Sequence, residues 1–324
     1  MDLGLKKSFF IKWIEQYLFF PTPFQRLVGV LFLPFTVLYC VITAYQRLSK
    51  KTIDLGIPVI SVGNLLIGGT GKTPIIIALA KEKEDIAVVL RGYGRESKGL
   101  FVVSQNGKIK ENIQTSGDEA MLLAKSLPKA TIIVSENRTD GVLKARELGC
   151  KVVFLDDGYR HHEIEKFDIL LRPKEEPTNI FCLPSGGYRD TKMMYSFANL
   201  VLKEDVDFTR TVTLKKSNVI VEKLPEDVLL VTAISKAYRL LEYLPENIST
   251  VIFEDHHTFT QEDIDMITTK YPKSAIITTA KDMVKLEQFD LQDIYLMDLE
   301  VQIDSKTIQS IENYITPKSA DEVY

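Results

Sequence analysis

Cysteine is scarce in this 324-residue chain, tryptophan occurs once and histidine four times. The three cysteines (Cys40, Cys150, Cys182) are odd in number, far apart and without metal-ligand spacing. A disulfide framework is therefore excluded, and the thiols read as reduced in a cytosolic compartment. A basic surplus is also missing: 40 Lys+Arg stand against 44 Asp+Glu, a net charge of −4. That argues against a nucleic-acid partner, so any phosphate handling must be local. No repeat or low-complexity segment is visible. What is there is ordinary globular composition, 45% hydrophobic and 26% charged, in a chain longer than a single core usually grows, ~250–300 residues.

Val28 to Tyr45 is 18 residues without a charge. As a helix it reaches about 27 Å, slightly less than a ~30 Å hydrocarbon core. It starts too late for a cleavable signal peptide. Lys6, Lys7, Lys12 and Arg26 precede it, and Arg47, Lys50 and Lys51 follow. A span would strand one basic cluster on the wrong side, and Pro34 would bend or break the helix. The favoured expectation is a membrane-associated helical segment, residues 1–50, lying in or dipping into the cytoplasmic face. A true span and a helix buried in the core are the alternatives.

From Ile57 the pattern alternates strand, turn and helix: strands at 57–64, 86–90, 131–135, 151–157, 167–171 and 199–203, helices at 72–80, 117–127 and 138–149. Continuous apolar strands imply a parallel sheet covered on both faces. The expected fold is α/β: a doubly wound, mainly parallel nucleotide-binding domain over 51–205. A two-stranded linker follows at 206–226. A smaller C-terminal α/β domain is expected over 227–324, with strands at 227–234, 250–255, 274–280 and 293–299. Its helices are expected at 235–243, 261–270, 280–288 and 305–315.

GNLLIGGTGKT (63–73) sits where a strand meets a helix. Main-chain N–H groups of Gly68, Gly69, Thr70 and Gly71 can point at phosphate oxygens, aided by the positive end of the helix. Lys72 would reach the β- and γ-phosphates and Thr73 would bind Mg²⁺. The strict pattern requires glycine at Leu66. The loop indicates a nucleoside triphosphate without naming the acceptor. VVFLDD (152–157) ends a strand with Asp156 and Asp157, where Mg²⁺ is held in such folds. Taken singly, Asp118 and Glu119 of GDEA suit a helix N-cap, and the pair His256–His257 suits a surface loop. RGYGR (91–95) puts Arg91 and its glycines on the nucleotide-facing edge.

Together VGNLLIGGTGKTP, RGYGR, GDEA, DDGYRHHEI, LPSGGYRD, DHHTF and TTAKDMVKL closely resemble the tetraacyldisaccharide 4′-kinases, the lipid A 4′-kinases of Gram-negative inner membranes, up to about residue 288. That family also lacks the glycine at the position of Leu66. The resemblance implies a P-loop kinase using ATP and Mg²⁺ to phosphorylate the 4′-hydroxyl of an acylated glucosamine disaccharide 1-phosphate lipid at the cytoplasmic face of the inner membrane. It makes Asp118 the general base, with His256 acting beside it and Lys72 on the phosphates. Thr73, Glu119, Asp156 and Asp157 match acidic or hydroxyl positions around the metal. Asn64, Arg91, Gly92, Tyr93 and Arg189 match substrate-binding positions. Ala120, Arg160 and Asp190 stand where the family usually has Pro, Gln and Glu. The rival expectations are a membrane-bound P-loop switch ATPase acting on a protein partner, and a kinase or ligase for a soluble metabolite.

Overall fold

The computed structural model describes residues 3–320 except 218, 236 and 247. Positions 1–2 of the N-terminal segment, 218 of the ribbon, 236 of the helix expected at 235–243, and 321–324 lie outside the described residues.

The chain opens with three helices, α1 (Leu3–Phe19), α2 (Pro23–Leu31) and α3 (Leu33–Ser49). α2 starts at a capping box, in which the Thr22 hydroxyl accepts from Gln25 N and Gln25 Oε1 accepts from Thr22 N, with Pro23 in the first turn. As expected from Pro34, the apolar run is broken: the helix ends at Phe32, Pro34 lies in the first turn of α3, and the pair is bent by 61°. Among the described residues no single helix is long and apolar enough to cross a membrane; the bent pair α2–α3 meets that test jointly. The pair is polar inward: Gln25, Thr36 and Thr43 are buried, whereas Phe24, Leu27, Leu31, Phe35, Leu38, Ile42 and Tyr45 are exposed. A core helix has the opposite polarity, so that alternative is removed.

The first sheet holds β1 (Val59–Asn64), β2 (Ile86–Leu90), β3 (Phe101–Gln105), β4 (Lys108–Ile109), β5 (Thr131–Val134), β6 (Val152–Asp156), β7 (Phe167–Arg172) and β8 (Leu200–Lys203), in the order β4-β3-β5-β2-β6-β1-β7-β8. Only β3 and β4 join it antiparallel. The helices are α4 (Lys72–Ala80), α5 (Ile113–Ser116), α6 (Asp118–Ser126) and α7 (Arg138–Glu147). Alternate residues serve opposite faces, as the two-residue strand period requires. Ile60, Val62, Val88, Ile132 and Phe154 enter one core, and Val59, Ala87, Val89, Ile133 and Val153 the other. β1 pairs with β6 in parallel, Val62 opposite Asp156. The loop after β1 and the carboxylates ending β6 therefore leave the same sheet edge side by side.

The second sheet holds β9 (Phe208–Lys216), β10 (Val219–Ile220), β11 (Val228–Thr232), β12 (Ser249–Ile252), β13 (Ala275–Thr279) and β14 (Ile294–Ile303), ordered β10-β9-β14-β13-β11-β12. It is accompanied by α8 (Gln261–Lys270), α9 (Ala280–Leu286) and α10 (Ser305–Ala320). The helix expected at 235–243 is a 3-10 helix, Ala237–Tyr243. Residues 206–226 are not a free-standing linker. β9 and β10 do pair as a ribbon, but β9 also pairs antiparallel with β14 from Phe208–Ile303 to Lys215–Leu296. Phe208, with Ile311 and Ile315 of α10, enters a core of the first sheet. The apolar residues of β9 share one face: Phe208 at its start enters the core of the first sheet, while Val212 and Leu214 pack on the core of the second, and this seats the second sheet on the first.

Candidate active site

Gly71 caps α4 in the left-handed region, φ 73°, where glycine alone is unstrained. A Cβ there would lie 2.5 Å from Nη2 of Arg210, whose guanidinium donates to Thr70 O. Gly68 to Thr73 line a cavity of about 1710 Å³ between the two sheets. Lys72 Nζ donates to Asn64 Oδ1 at 3.3 Å and lies 3.6 Å from Asp157 Oδ1. The Thr73 hydroxyl donates to Asp156 Oδ2 at 3.4 Å.

Asp156 and Asp157 are adjacent and electrostatically opposite. Burial and the charge of Glu119 push the Asp156 carboxyl up to about 7, and its Oδ1 is buried with no hydrogen-bond partner among the described residues. Burial also raises Asp157, but the Arg189 hydrogen bonds and the Lys72 charge outweigh it and hold that carboxyl well below the ordinary range. Asp157 sits at φ 51°, a left-handed backbone that costs a non-glycine residue roughly 1–2 kcal/mol and recurs at functional sites. An orphaned carboxylate oxygen, a neighbouring hydroxyl and Glu119 on the same cavity are a donor set that fits Mg²⁺. Among the described residues no three His, Cys, Asp or Glu side chains form a ready cage. That suits an ion bound through one or two carboxylates plus substrate phosphates.

Arg189 is delivered by the LPSGGYRD loop, which is strapped between the N-terminal helices and β1. Asn179 Nδ2 donates to Tyr17 O, Gly187 N donates to Leu18 O, Tyr39 OH donates to Arg189 O, and Arg189 N donates to Leu65 O. A Cβ at Gly187 would come within 2.4 Å of the Phe19 ring. The Arg189 guanidinium donates to both Asp157 oxygens and to the carbonyl and side-chain oxygens of Asn64.

Across the cavity, His256 stands on the loop after β12 at φ 62°, and its Nδ1 lies 3.0 and 3.1 Å from the two Asp118 oxygens at the start of α6. Burial raises Asp118, but the hydrogen bond with His256 and the charges of Lys281 and Lys285 leave its carboxyl below the ordinary value. Lys281 Nζ is 3.2 Å from His256 Nε2, 3.7 Å from Asp118, 3.6 Å from Glu119 and 3.5 Å from Asp255. Tyr93 covers the imidazole, ring centroids 5.1 Å apart. The other histidines are spent elsewhere: His257 pairs with Asp263, His161 with Glu163, and His162 meets Tyr159 edge-on.

Most of the residues singled out in the sequence thus converge. Arg91, Gly92, Tyr93, Glu119, Asp156, Asp157, Arg189 and His256 line the cavity with the phosphate loop. Two do not face it. Asn64 is buried, holding Lys72 and Arg189, and Asp118 is buried against His256. Sequence reasoning missed Arg138, Arg210, Lys281 and Lys285. Arg138 is buried beneath Asp156 O, and burial lowers its guanidinium to about 10. Lys281 and Lys285 lie inside TTAKDMVKL, so that motif could have singled them out.

Comparison with known proteins identifies the family. The tetraacyldisaccharide-1-P 4′-kinase family model matches residues 28–316. The tetraacyldisaccharide 4′-kinase of Aliarcobacter butzleri is 57% identical over 94% of this chain and 96% of its own. That of Helicobacter pylori strain 26695 is 41% identical over 94% and 95%. A crystal structure of LpxK from Aquifex aeolicus in complex with ATP is similar with a TM-score of 0.71 and 27% identity, covering 89% of this chain and 99% of that one. With the phosphate loop, the Asp156–Asp157 edge and the Asp118–His256 pair all within the matched span, the chain belongs to the tetraacyldisaccharide-1-P 4′-kinase family.

Proposed function

We propose that this protein transfers the γ-phosphoryl group of ATP to the 4′-hydroxyl of a tetraacylated glucosamine disaccharide 1-phosphate at the cytoplasmic face of the inner membrane. One observation carries the reading. A buried carboxylate bonded to an imidazole, Asp118–His256, lies beside the same cavity as Lys72 and Thr73, next to helices that turn apolar side chains outward.

A sugar hydroxyl is a poor nucleophile, and a carboxylate within reach can take its proton as phosphorus is attacked. The new bond joins the 4′-oxygen to the γ-phosphorus, the bond to the β-phosphate oxygen breaks, and the hydroxyl proton passes to Asp118. The loop Gly68–Thr73 cradles the triphosphate, with Lys72 held in place by Asn64. Arg189 fixes Asp157 and, with Arg91 and Tyr93, offers cationic and stacking groups to the sugar and its phosphate. Thr73 and Asp156, with Glu119 and Asp157 nearby, would hold Mg²⁺, which when bound supplies charge neutralisation on the phosphates. Because His256 comes from the second sheet and Asp118 from the first, the pair joins the two halves across the cavity.

The acceptor is anchored in a bilayer by its acyl chains at ~0.8 kcal/mol per buried CH₂, so the enzyme must come to it. No acidic residue lies between Glu15 and Asp54, whereas Arg26, Arg47, Lys50 and Lys51 do, a charge pattern suited to anionic lipid. Release of ADP measured with and without detergent-solubilised disaccharide lipid tests the proposal. Lipid-dependent release is expected; equal release in both, with no phosphorylated lipid, contradicts it.

A further inference from the structure

We propose that Lys281 is a positioning residue that fixes the proton of His256 on Nδ1 and thereby makes Asp118 the group that receives the acceptor's proton. The inference deepens the proposed function and rests on reading Asp118 and His256 as the proton-handling pair.

A lysine ammonium carries three donors and no acceptor. Its Nζ lies 3.2 Å from His256 Nε2, closer than the 3.8 Å of Asp255 Oδ2 to the same nitrogen, which favours a lone pair on Nε2 facing the ammonium. A proton on Nε2 would set donor against donor. A neutral ring then bears its hydrogen on Nδ1, and Nδ1 is within 3.0–3.1 Å of both Asp118 oxygens. The ring donates to the carboxylate, while its other nitrogen is covered. The vacancy for a proton within this pair is on Asp118, and His256 orients it.

The geometry is built in rather than borrowed from a flexible side chain. Thr279 caps α9, and buried Asp282 accepts from Thr232, Thr279 and Ala233 N, tying the first turn of α9 to the end of β11. His256 N donates to Ala233 O. Lys281 and His256 therefore hang from the same short stretch of backbone. Around the ammonium stand Asp118, Glu119 and Asp255, from both halves of the molecule, at 3.5–3.7 Å. α6 and α9 are also joined by Lys125–Glu287, and Lys285 reaches Asp118 at 3.8 Å. Those contacts remain when Lys281 is replaced, so a purely structural role for Lys281 predicts little kinetic change.

The test begins with the unmodified full chain. Long-range ¹H–¹⁵N correlation of the imidazoles, assigned with His256→Gln, should give a protonated Nδ1 and a lone-pair Nε2 for His256 at assay pH. Lys281→Met should mix the two tautomers and lower kcat about 10- to 100-fold, less than loss of the base itself, with KM for ATP within about twofold. Lys281→Arg, which keeps a donor, should recover the resonance pattern and most of kcat. A proton on Nε2 or a doubly protonated ring in the unmodified protein overturns the proposal. So does Lys281→Met with unchanged kcat. The resonances are read without turnover, so they fail separately from the reading of the pair, which Asp118→Ala with unchanged turnover would remove.

Discussion

Arg189 grips Asp157 with two hydrogen bonds of 2.8 Å, while Asp156 beside it keeps one buried oxygen with no partner. The two carboxylates consequently contribute to stability in opposite senses as pH changes, and the one with the unpartnered oxygen is the costly member. Its carboxyl titrates near 7 in the folded chain against about 3.9 unfolded. The folded state thus binds more protons between those values, and stability falls as pH rises from about 4 to about 7.

Asp156→Asn should therefore be more stable than the parent at pH 8 without Mg²⁺ or nucleotide, by at most about 4 kcal/mol. The gain should shrink at pH 5. Urea unfolding at the two pH values in EDTA measures it. An equal or lower midpoint for the variant at pH 8 would show that Asp156 does not carry this cost. Activity should fall in the same variant, the trade expected of a residue kept for chemistry rather than for folding.

Asp118→Ala should lower kcat by about 10²–10⁴-fold while ATP binding survives. Nucleotide titration and steady-state kinetics separate the two. Unchanged turnover removes Asp118 from the mechanism.

Lys72→Ala should instead damage nucleotide use, since Lys72 reaches the phosphate loop from a position held by Asn64. Asn64→Ala should reproduce a milder version of the same defect, because Lys72 and Arg189 lose a shared acceptor. Wild-type ATP kinetics in Lys72→Ala would refute the phosphate-loop assignment.

Phe35, Leu38, Ile42 and Tyr45 form one exposed stripe of α3 at helical spacing. Leu38→Ser with Ile42→Ser should weaken co-sedimentation with anionic vesicles at least tenfold, since each buried side chain contributes about 1.5–3 kcal/mol. Turnover of a short-chain soluble acceptor should persist. An unchanged vesicle-bound fraction would place the membrane contact elsewhere.

The parallel sheet was legible because its strands are unbroken apolar runs: β1, β2, β5 and β6 are buried at every position. The phosphate loop was legible because Gly71, Lys72 and Thr73 coincide with a strand-to-helix junction. β3 and β4 were passed over although Asn106-Gly107, both at positive φ, is a hairpin signal; the strands it joins are short. α1 falls within the helical segment expected over 1–50, but its bounds were not legible because its lysines and Glu15 interrupt the apolar pattern. The place of β9 depends on pairing with β14, more than eighty residues later along the chain, and no local pattern encodes that. Arg138 and Arg210 share this cause. Each is an ordinary cation on its own element and acquires a role only where the fold brings it against Asp156 or Thr70.

The most direct measurement is mass spectrometry of the lipid recovered after incubation of the full chain with ATP, Mg²⁺ and the acylated disaccharide 1-phosphate. The expected product is heavier by one phosphoryl group, carried on the 4′-oxygen of the distal sugar. Recovery of unmodified lipid alongside ADP, or of a phosphate on any other oxygen, would contradict the assignment.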